Sequence, residues 1–203
     1  MKIVFATRNE GKVREITEML ARTDIDLVSL NHFASLPEIV EDGKTYLENA
    51  LKKARTISEY TGETVLADDS GLQVDALGGE PGVYSARYAG EGASDEENNA
   101  KLLAKLKDIP AEKRGASFHC ALVLHHPDGR YQAFEAKWQG RIVDERRGTN
   151  GFGYDPIFLW PELDKTAAEL PPEIKNKVSH RGQAFAKLKS HLVEDTKTKH
   201  VGA

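Results

Sequence analysis

Apolar residues fall into short runs and helical stripes that alternate along the first half of the chain. Residues 2–6 form an apolar run, Lys-Ile-Val-Phe-Ala, that predicts a buried first strand and stops at Thr7-Arg8-Asn9-Glu10-Gly11-Lys12. Val13, Ile16 and Leu20 then recur at helical spacing among Arg14, Glu15 and Glu18, the pattern of an amphipathic helix. Residues 26–30 read as a second strand, and Leu36-Pro37-Glu38-Ile39-Val40-Glu41-Asp42-Gly43 as an acidic loop. Thr45 and Glu48 have capping-box spacing and open a helix through Tyr60, with Leu47, Leu51, Ala54 and Ile57 on its apolar side. Thr64-Val65-Leu66 leads into Ala67-Asp68-Asp69-Ser70-Gly71, where a strand is expected to give way to a turn.

The second half changes character. A glycine-rich connection over residues 74–90 is long for a compact domain, and long ordered loops often carry function. Ser94 and Glu97 form another capping box, starting a helix with Leu102, Leu103 and Leu106 that ends before Pro110. Ala116, Phe118, Cys120, Leu122 and Leu124 alternate on one face of a strand, and Pro127-Asp128-Gly129 turns it into a second over residues 131–138. Residues 140–143 add a short strand, so the sheet is expected to be mixed. The segment 171–182 leads into a helix carrying Phe185, Leu188 and Leu192, and the polar tail 194–203 is expected to be mobile.

With 203 residues, the chain suits one domain, or two small lobes sharing a core. A formal net charge of −4 argues against a nucleic-acid binder or a protein held on an acidic membrane, so an anionic ligand must meet local positive charge. Cys120 is the only cysteine, which excludes an internal disulfide and a cysteine-based zinc site. No run reaches membrane-spanning length and the first apolar run is too short for a signal segment, so the expected compartment is the cytoplasm.

Several stretches bear chemistry. Strand, polar glycine-containing loop and helix at residues 7–12 is an arrangement that aims backbone N–H groups at an anion, with Thr7, Asn9 and Lys12 as further donors; a plain helix cap is the alternative. Adjacent carboxylates on an extended segment point to opposite faces, so only one of Asp68 and Asp69 is expected to meet a ligand. Gly148-Thr149-Asn150-Gly151-Phe152-Gly153-Tyr154-Asp155-Pro156 places aromatics between glycines, where a flat ligand can reach a ring. His180 and Arg181 sit near a helix start, a placement that opposes the helix dipole and points to an anionic or carbonyl-bearing ligand.

Thr7-Arg8-Asn9-Glu10-Gly11-Lys12, Glu48-Asn49-Ala50, Ala67-Asp68-Asp69-Ser70-Gly71-Leu72, Gly82-Val83-Tyr84-Ser85-Ala86-Arg87-Tyr88, Gly151-Phe152-Gly153-Tyr154-Asp155-Pro156 and Ser179-His180-Arg181-Gly182 follow one another in this order. In this the chain resembles the inosine/xanthosine triphosphate pyrophosphatase family over residues 2–192. The resemblance implies an elongated α/β fold of two lobes around a long mixed sheet, the active cleft between them, in a single domain spanning residues 1–193 that forms a homodimer. It implies Mg2+-dependent cleavage of non-standard purine nucleoside triphosphates (ITP, dITP, XTP) to monophosphate and pyrophosphate; a non-catalytic purine-nucleotide sensor on the same scaffold is the alternative.

Carried over by position, substrate binding falls to Thr7, Arg8, Asn9, Glu10, Gly11, Lys12, Lys53, Ser70, Phe152, Gly153, Tyr154, Asp155, Lys175, His180 and Arg181. Asp69 is expected to act at the metal and as base for water, and Glu38 and Glu41 are the further candidates for the metal, the sequence leaving open which of the two reaches it. The residues at 152–155 would cradle the base, and His180 with Arg181 would read its 6-keto edge. Arg8 departs from the small residue common at its position, and either adds a phosphate contact or points to solvent.

Overall fold

The structure, a computed structural model, describes residues 1–21, 23 and 25–200, without the side chains of 194–200. The expected mobile tail, 194–203, therefore lies largely outside the described residues. Seven strands, β1 (Lys2–Phe5), β2 (Asp26–Ser29), β3 (Val65–Val74), β4 (Gly115–His125), β5 (Tyr131–Ile142), β6 (Phe158–Trp160) and β7 (Lys165–Thr166), form one open sheet in the order β2-β1-β3-β4-β5-β6-β7. β2, β1 and β3 are parallel and the remaining pairings antiparallel, the mixed sheet expected from the hairpin pattern. The helices are α1 (Glu10–Leu20), α2 (Tyr46–Thr61), α3 (Asp95–Leu106), α4 (Pro172–Val178) and α5 (His180–His200).

Strand alternation sorts the core. Ile3, Phe5, Leu66, Cys120, Leu122 and Leu124 face α1 and α5, through Ile16, Leu20, Phe185 and Leu188. Val4, Ala6, Val65, Ala67, Ala121 and Val123 face α2, through Ala50, Ala54 and Ile57. A third cluster, with Leu72, Val74, Phe118, Trp138 and Phe158, packs under α3 at the far end of the long strands. Burial on both faces of β1, β3 and β4 supplies most of the driving force, at about 25 cal/mol per Å2 of apolar surface removed from water.

Four local expectations are revised. β3 does not stop at Leu66 but runs through Asp68, Asp69, Ser70 and Gly71, because β4 pairs with it along its whole length, from Val65↔His125 to Val74↔Ala116. Gly71 serves close packing there: a Cβ would lie 2.5 Å from the Gly82 carbonyl oxygen. The strands expected at 131–138 and 140–143 are one, β5, since β4 continues opposite both. Residues 172–178 form a separate short helix, α4, with a proline in its first turn; Ser179 ends it, and the Ser179 hydroxyl accepts from the Gly182 N–H at 3.1 Å to cap α5. At α2 only half the capping box forms, since Glu48 accepts from the Lys44 N–H and not from Thr45; the Ser94–Glu97 box of α3 is complete.

Candidate active site

β1 ends at Phe5, while β3 beside it runs on to Val74 past their last shared pair, Phe5↔Leu66. α1 leaves β1 on one face of the sheet and α2 returns to β3 on the other, so the carboxyl end of β1 is a topological switch point, the usual crevice for a ligand in such sheets. A cavity of about 340 Å3 lies there. Thr7, Arg8, Asn9 and Lys12 line it from the β1–α1 turn, Glu41 and Lys53 from α2 and the loop before it, and Asp69, Ser70 and Gly71 from β3. Phe152, Gly153, Tyr154, Asp155, Lys175, His180 and Arg181 close the other side.

The two adjacent acids point to opposite faces of β3. Asp69 turns toward α2, where Asn49 donates to Oδ2 at 3.1 Å and the Lys53 ammonium stands 3.5 Å from Oδ1. Burial pushes the Asp69 carboxyl above its ordinary value, against the opposing pull of Lys53 and Lys12. Lys53 lies closer to Glu41, at 3.0 Å, so its charge is shared between two carboxylates. Asp68 turns the other way and is 0% exposed. It ion-pairs with Lys12, accepts from Arg181 Nε at 3.1 Å and from the Cys120 thiol at 3.2 Å. Its burial works to raise its pKa, but Arg181 and Lys12 prevail and hold it well below the usual carboxylate range.

Asp68 belongs to a buried row of alternating charge that runs under the cavity. Lys175 bonds Asp155 at 2.5 Å and Glu15 at 2.7 Å; Glu15 bonds Arg181 at 2.6 Å; Arg181 bonds Asp68, which holds Lys12. Arg181 is 2% exposed and also donates to the Ser70 hydroxyl at 2.9 Å, so three of its N–H groups are engaged. A cation at the start of α5, unfavourable toward the helix dipole, is thus held by two carboxylates. His180 stacks on Phe118 with ring centroids 4.8 Å apart, and burial together with Arg181 and Lys175 lowers its pKa far enough to keep it neutral.

The loop carrying the aromatics is pinned from several elements. Asp95 of α3 accepts from the Gly153 N–H at 2.6 Å, Asn99 donates to the Gly153 carbonyl at 3.0 Å, and Tyr154 donates to the Ser85 carbonyl at 2.8 Å. Tyr154 is buried in the core, whereas the half-buried Phe152 ring faces the cavity, with Lys175 Nζ 5.1 Å and Arg181 Cζ 5.6 Å from its centroid. Gly11 makes room for this ring, since a Cβ there would lie 2.5 Å from a Phe152 carbon.

Of the residues expected at the site, three do not line the cavity. Gly11 supports Phe152 from behind and borders a separate pocket, and Glu10 carries its side chain into solvent. What these two offer is backbone N–H: Asn9, the α1 cap, bonds the Lys12 N–H through its side chain, and the Asn9 N–H bonds Thr7, leaving those of Glu10 and Gly11 without a described partner. Glu38 lines an adjacent cavity of about 410 Å3 that shares Thr7, Arg8, Glu41 and Lys53 with the first. Among the described residues no three His, Cys, Asp or Glu side chains gather into a metal-binding cluster, so Asp69, Glu41 and Glu38 do not form a closed cage.

Other residues emerge only in three dimensions. Asn49, Glu15, Arg87, Asp95 and Phe118 border or support the cavity without having been singled out. Lys12 and Glu15 do stand three apart on α1, a spacing that shares a helix face, and Arg87 and Asn49 fall inside two of the quoted motifs.

A model of the Ham1 family matches residues 3–191. The chain belongs to that family. It is 56% identical over 191 residues to the dITP/XTP pyrophosphatase of Geobacter sulfurreducens, covering 94% of this chain and 96% of that one. It is 54% identical over 186 residues to the dITP/XTP pyrophosphatase of Yersinia pseudotuberculosis, covering 91% and 94%. Among solved structures, a HAM1 protein from Coxiella burnetii superposes with a TM-score of 0.86 at 44% identity, covering 96% of this chain and 99% of that one. The open mixed sheet with helices on both faces is that of the family, as the six ordered motifs implied. Among the described residues no helix is long and apolar enough to cross a membrane.

Proposed function

We propose that this protein hydrolyses the non-standard purine nucleoside triphosphates dITP, ITP and XTP to the monophosphate and pyrophosphate, and so keeps these bases out of DNA and RNA. The observation that carries the reading is Asp69: a carboxylate fixed by Asn49, in one cavity with the cations Arg8, Lys12, Lys53, Arg87, Lys175 and Arg181. Such a cavity suits a polyanion and supplies a base beside it. The relatives named dITP/XTP pyrophosphatase support the same substrate class.

The chemistry follows from placement. The triphosphate tail lies along Lys12 and Lys53 and against the first turn of α1, with the innermost phosphorus beside Asp69. Asp69 takes a proton from water as the water oxygen bonds to that phosphorus; the bond to the bridging oxygen breaks and pyrophosphate leaves with the electron pair. The base rests on Phe152, and Arg181 directs its remaining N–H groups at the 6-keto oxygen. An amino group at that position, as in adenine, presents a donor to a donor and leaves Arg181 unmatched.

The donors present fit Mg2+. Asp69 and Glu41 already share one cation, the Lys53 ammonium, and both offer hard carboxylate oxygens; Mg2+ is commonly held by one or two carboxylates together with substrate phosphates. Asp69 and Glu41 would hold it, with Glu38 at the edge. Bound there, it neutralises phosphate oxygens and makes water more acidic. The same reading takes residues 1–193 as one two-lobed domain, which the single seven-stranded sheet supports, and includes a homodimer in a reducing cytoplasm.

The test is pyrophosphate release from ITP, dITP and XTP against ATP and GTP, with and without Mg2+. The expected result is at least about tenfold preference for the first three over ATP, only with the metal. Equal rates on all five, or none on any, would overturn the proposal.

A further inference from the structure

The cavity's cations are not equivalent. Lys12 is paired with Asp68, Lys53 with Glu41 and Asp69, Arg87 with Glu91, Lys175 with Glu15 and Asp155, and Arg181 with Glu15 and Asp68. Arg8 alone has no carboxylate partner among the described residues, and it is exposed. It lies in the β1–α1 turn and lines both the first cavity and the adjacent one, whereas Asp69, Phe152 and His180 line only the first. A tail that begins with its innermost phosphorus at Asp69 and passes Lys12 and Lys53 therefore comes to Arg8 where the two cavities meet.

We infer that Arg8 grips the terminal phosphate of the substrate and sets the preference for triphosphates over diphosphates, an inference that rests on the reaction proposed above. A guanidinium offers a planar fork of N–H donors that matches two non-bridging phosphate oxygens. The other cations must share their charge with the carboxylates that already hold them, but Arg8 brings its full charge with no partner to displace. Glu38 and Glu41 are the acids on this path, and Arg8 opposes their repulsion where the outermost phosphate passes them.

The experiment compares the wild type with Arg8→Ser and Arg8→Lys. It reads kcat and KM for ITP and IDP, and the Kd of inorganic tripolyphosphate by calorimetry. In Arg8→Ser, kcat/KM for ITP should fall about tenfold, mainly through KM, and that for IDP by about twofold at most. Tripolyphosphate binding should weaken by a similar factor, and Arg8→Lys should fall between, since it keeps the charge and loses the fork. Equal loss for ITP and IDP, or unaltered tripolyphosphate binding, would overturn the inference. If the wild type fails to cleave ITP, the proposed reaction falls, and Arg8 is judged on tripolyphosphate alone: weaker binding in Arg8→Ser supports a phosphate grip and unchanged binding refutes it.

Discussion

Asn49 Nδ2 donates to Asp69 Oδ2 at 3.1 Å, and the Asn49 side-chain oxygen accepts the Gly43 N–H at 2.8 Å, so the amide is fixed from both ends and in turn fixes the carboxylate. Its bond works to lower the Asp69 pKa against burial. Asn49→Ala should lower kcat about tenfold with KM little changed. The base acts deprotonated, so activity is lost as pH falls; without Asn49 that loss moves to higher pH, and the deficit is larger at acid than at alkaline pH. A pH–rate profile unaltered in shape would release Asn49 from this role.

Asp69→Asn should abolish turnover and make the metal-free protein more stable at neutral pH. Because burial raises the Asp69 pKa in the folded state, folding favours the protonated form, and stability falls as pH rises from the ordinary carboxylate value through the raised one. Asparagine has no proton to lose. The gain in thermal midpoint should therefore appear above that window and vanish below it. A variant less stable than wild type at neutral pH would contradict the assignment of a strained, buried carboxylate.

Asp68 has the opposite character. Asp68→Asn leaves Arg181 and Lys12 without their shared partner under the sheet and should cost about 3–5 kcal/mol in urea unfolding, with an unchanged m-value. For the same reason Arg181→Ala confounds base recognition with lost stability, and Arg181→Lys is the cleaner probe of the ITP over ATP ratio. Wild-type stability in Asp68→Asn would mean that the buried row of charge is not held as described.

Phe152→Ala should raise KM for ITP about tenfold or more through lost stacking, at little cost to kcat. Gly11→Ala should reproduce this from behind the ring, because its methyl group would meet Phe152 at 2.5 Å and displace it. Alanine is the better helix former, so a KM defect in a protein no less helical identifies the ring's position as the cause. Wild-type KM in both variants would remove Phe152 from the base site.

Much of this arrangement was legible where it depends on neighbours in the chain. The Ser94 and Thr45 starts, the alternation from Ala116 to Leu124 and the opposed faces of Asp68 and Asp69 follow from local geometry, and all appear. What local pattern could not show is decided by distant partners. Asp68-Asp69-Ser70-Gly71 is turn-like by composition yet lies within β3, because ten successive residues of β4 pair across from Val65–Val74. Glu15 reads as part of a solvated helix face, but its partners Lys175 and Arg181 arrive from 160 and 166 residues away. The break at Ser179 is set by a side-chain cap and by the packing of Lys175, neither of which alters the apolar spacing.

The most direct test of the site is hydrolysis of ITP in water enriched in oxygen-18, with the label located by mass spectrometry in wild type and Asp69→Asn. If Asp69 turns water against the innermost phosphorus, one labelled oxygen appears in IMP and none in pyrophosphate, and Asp69→Asn yields neither product above background. Label in the pyrophosphate, or continued labelling of IMP by Asp69→Asn at the wild-type rate, would contradict it.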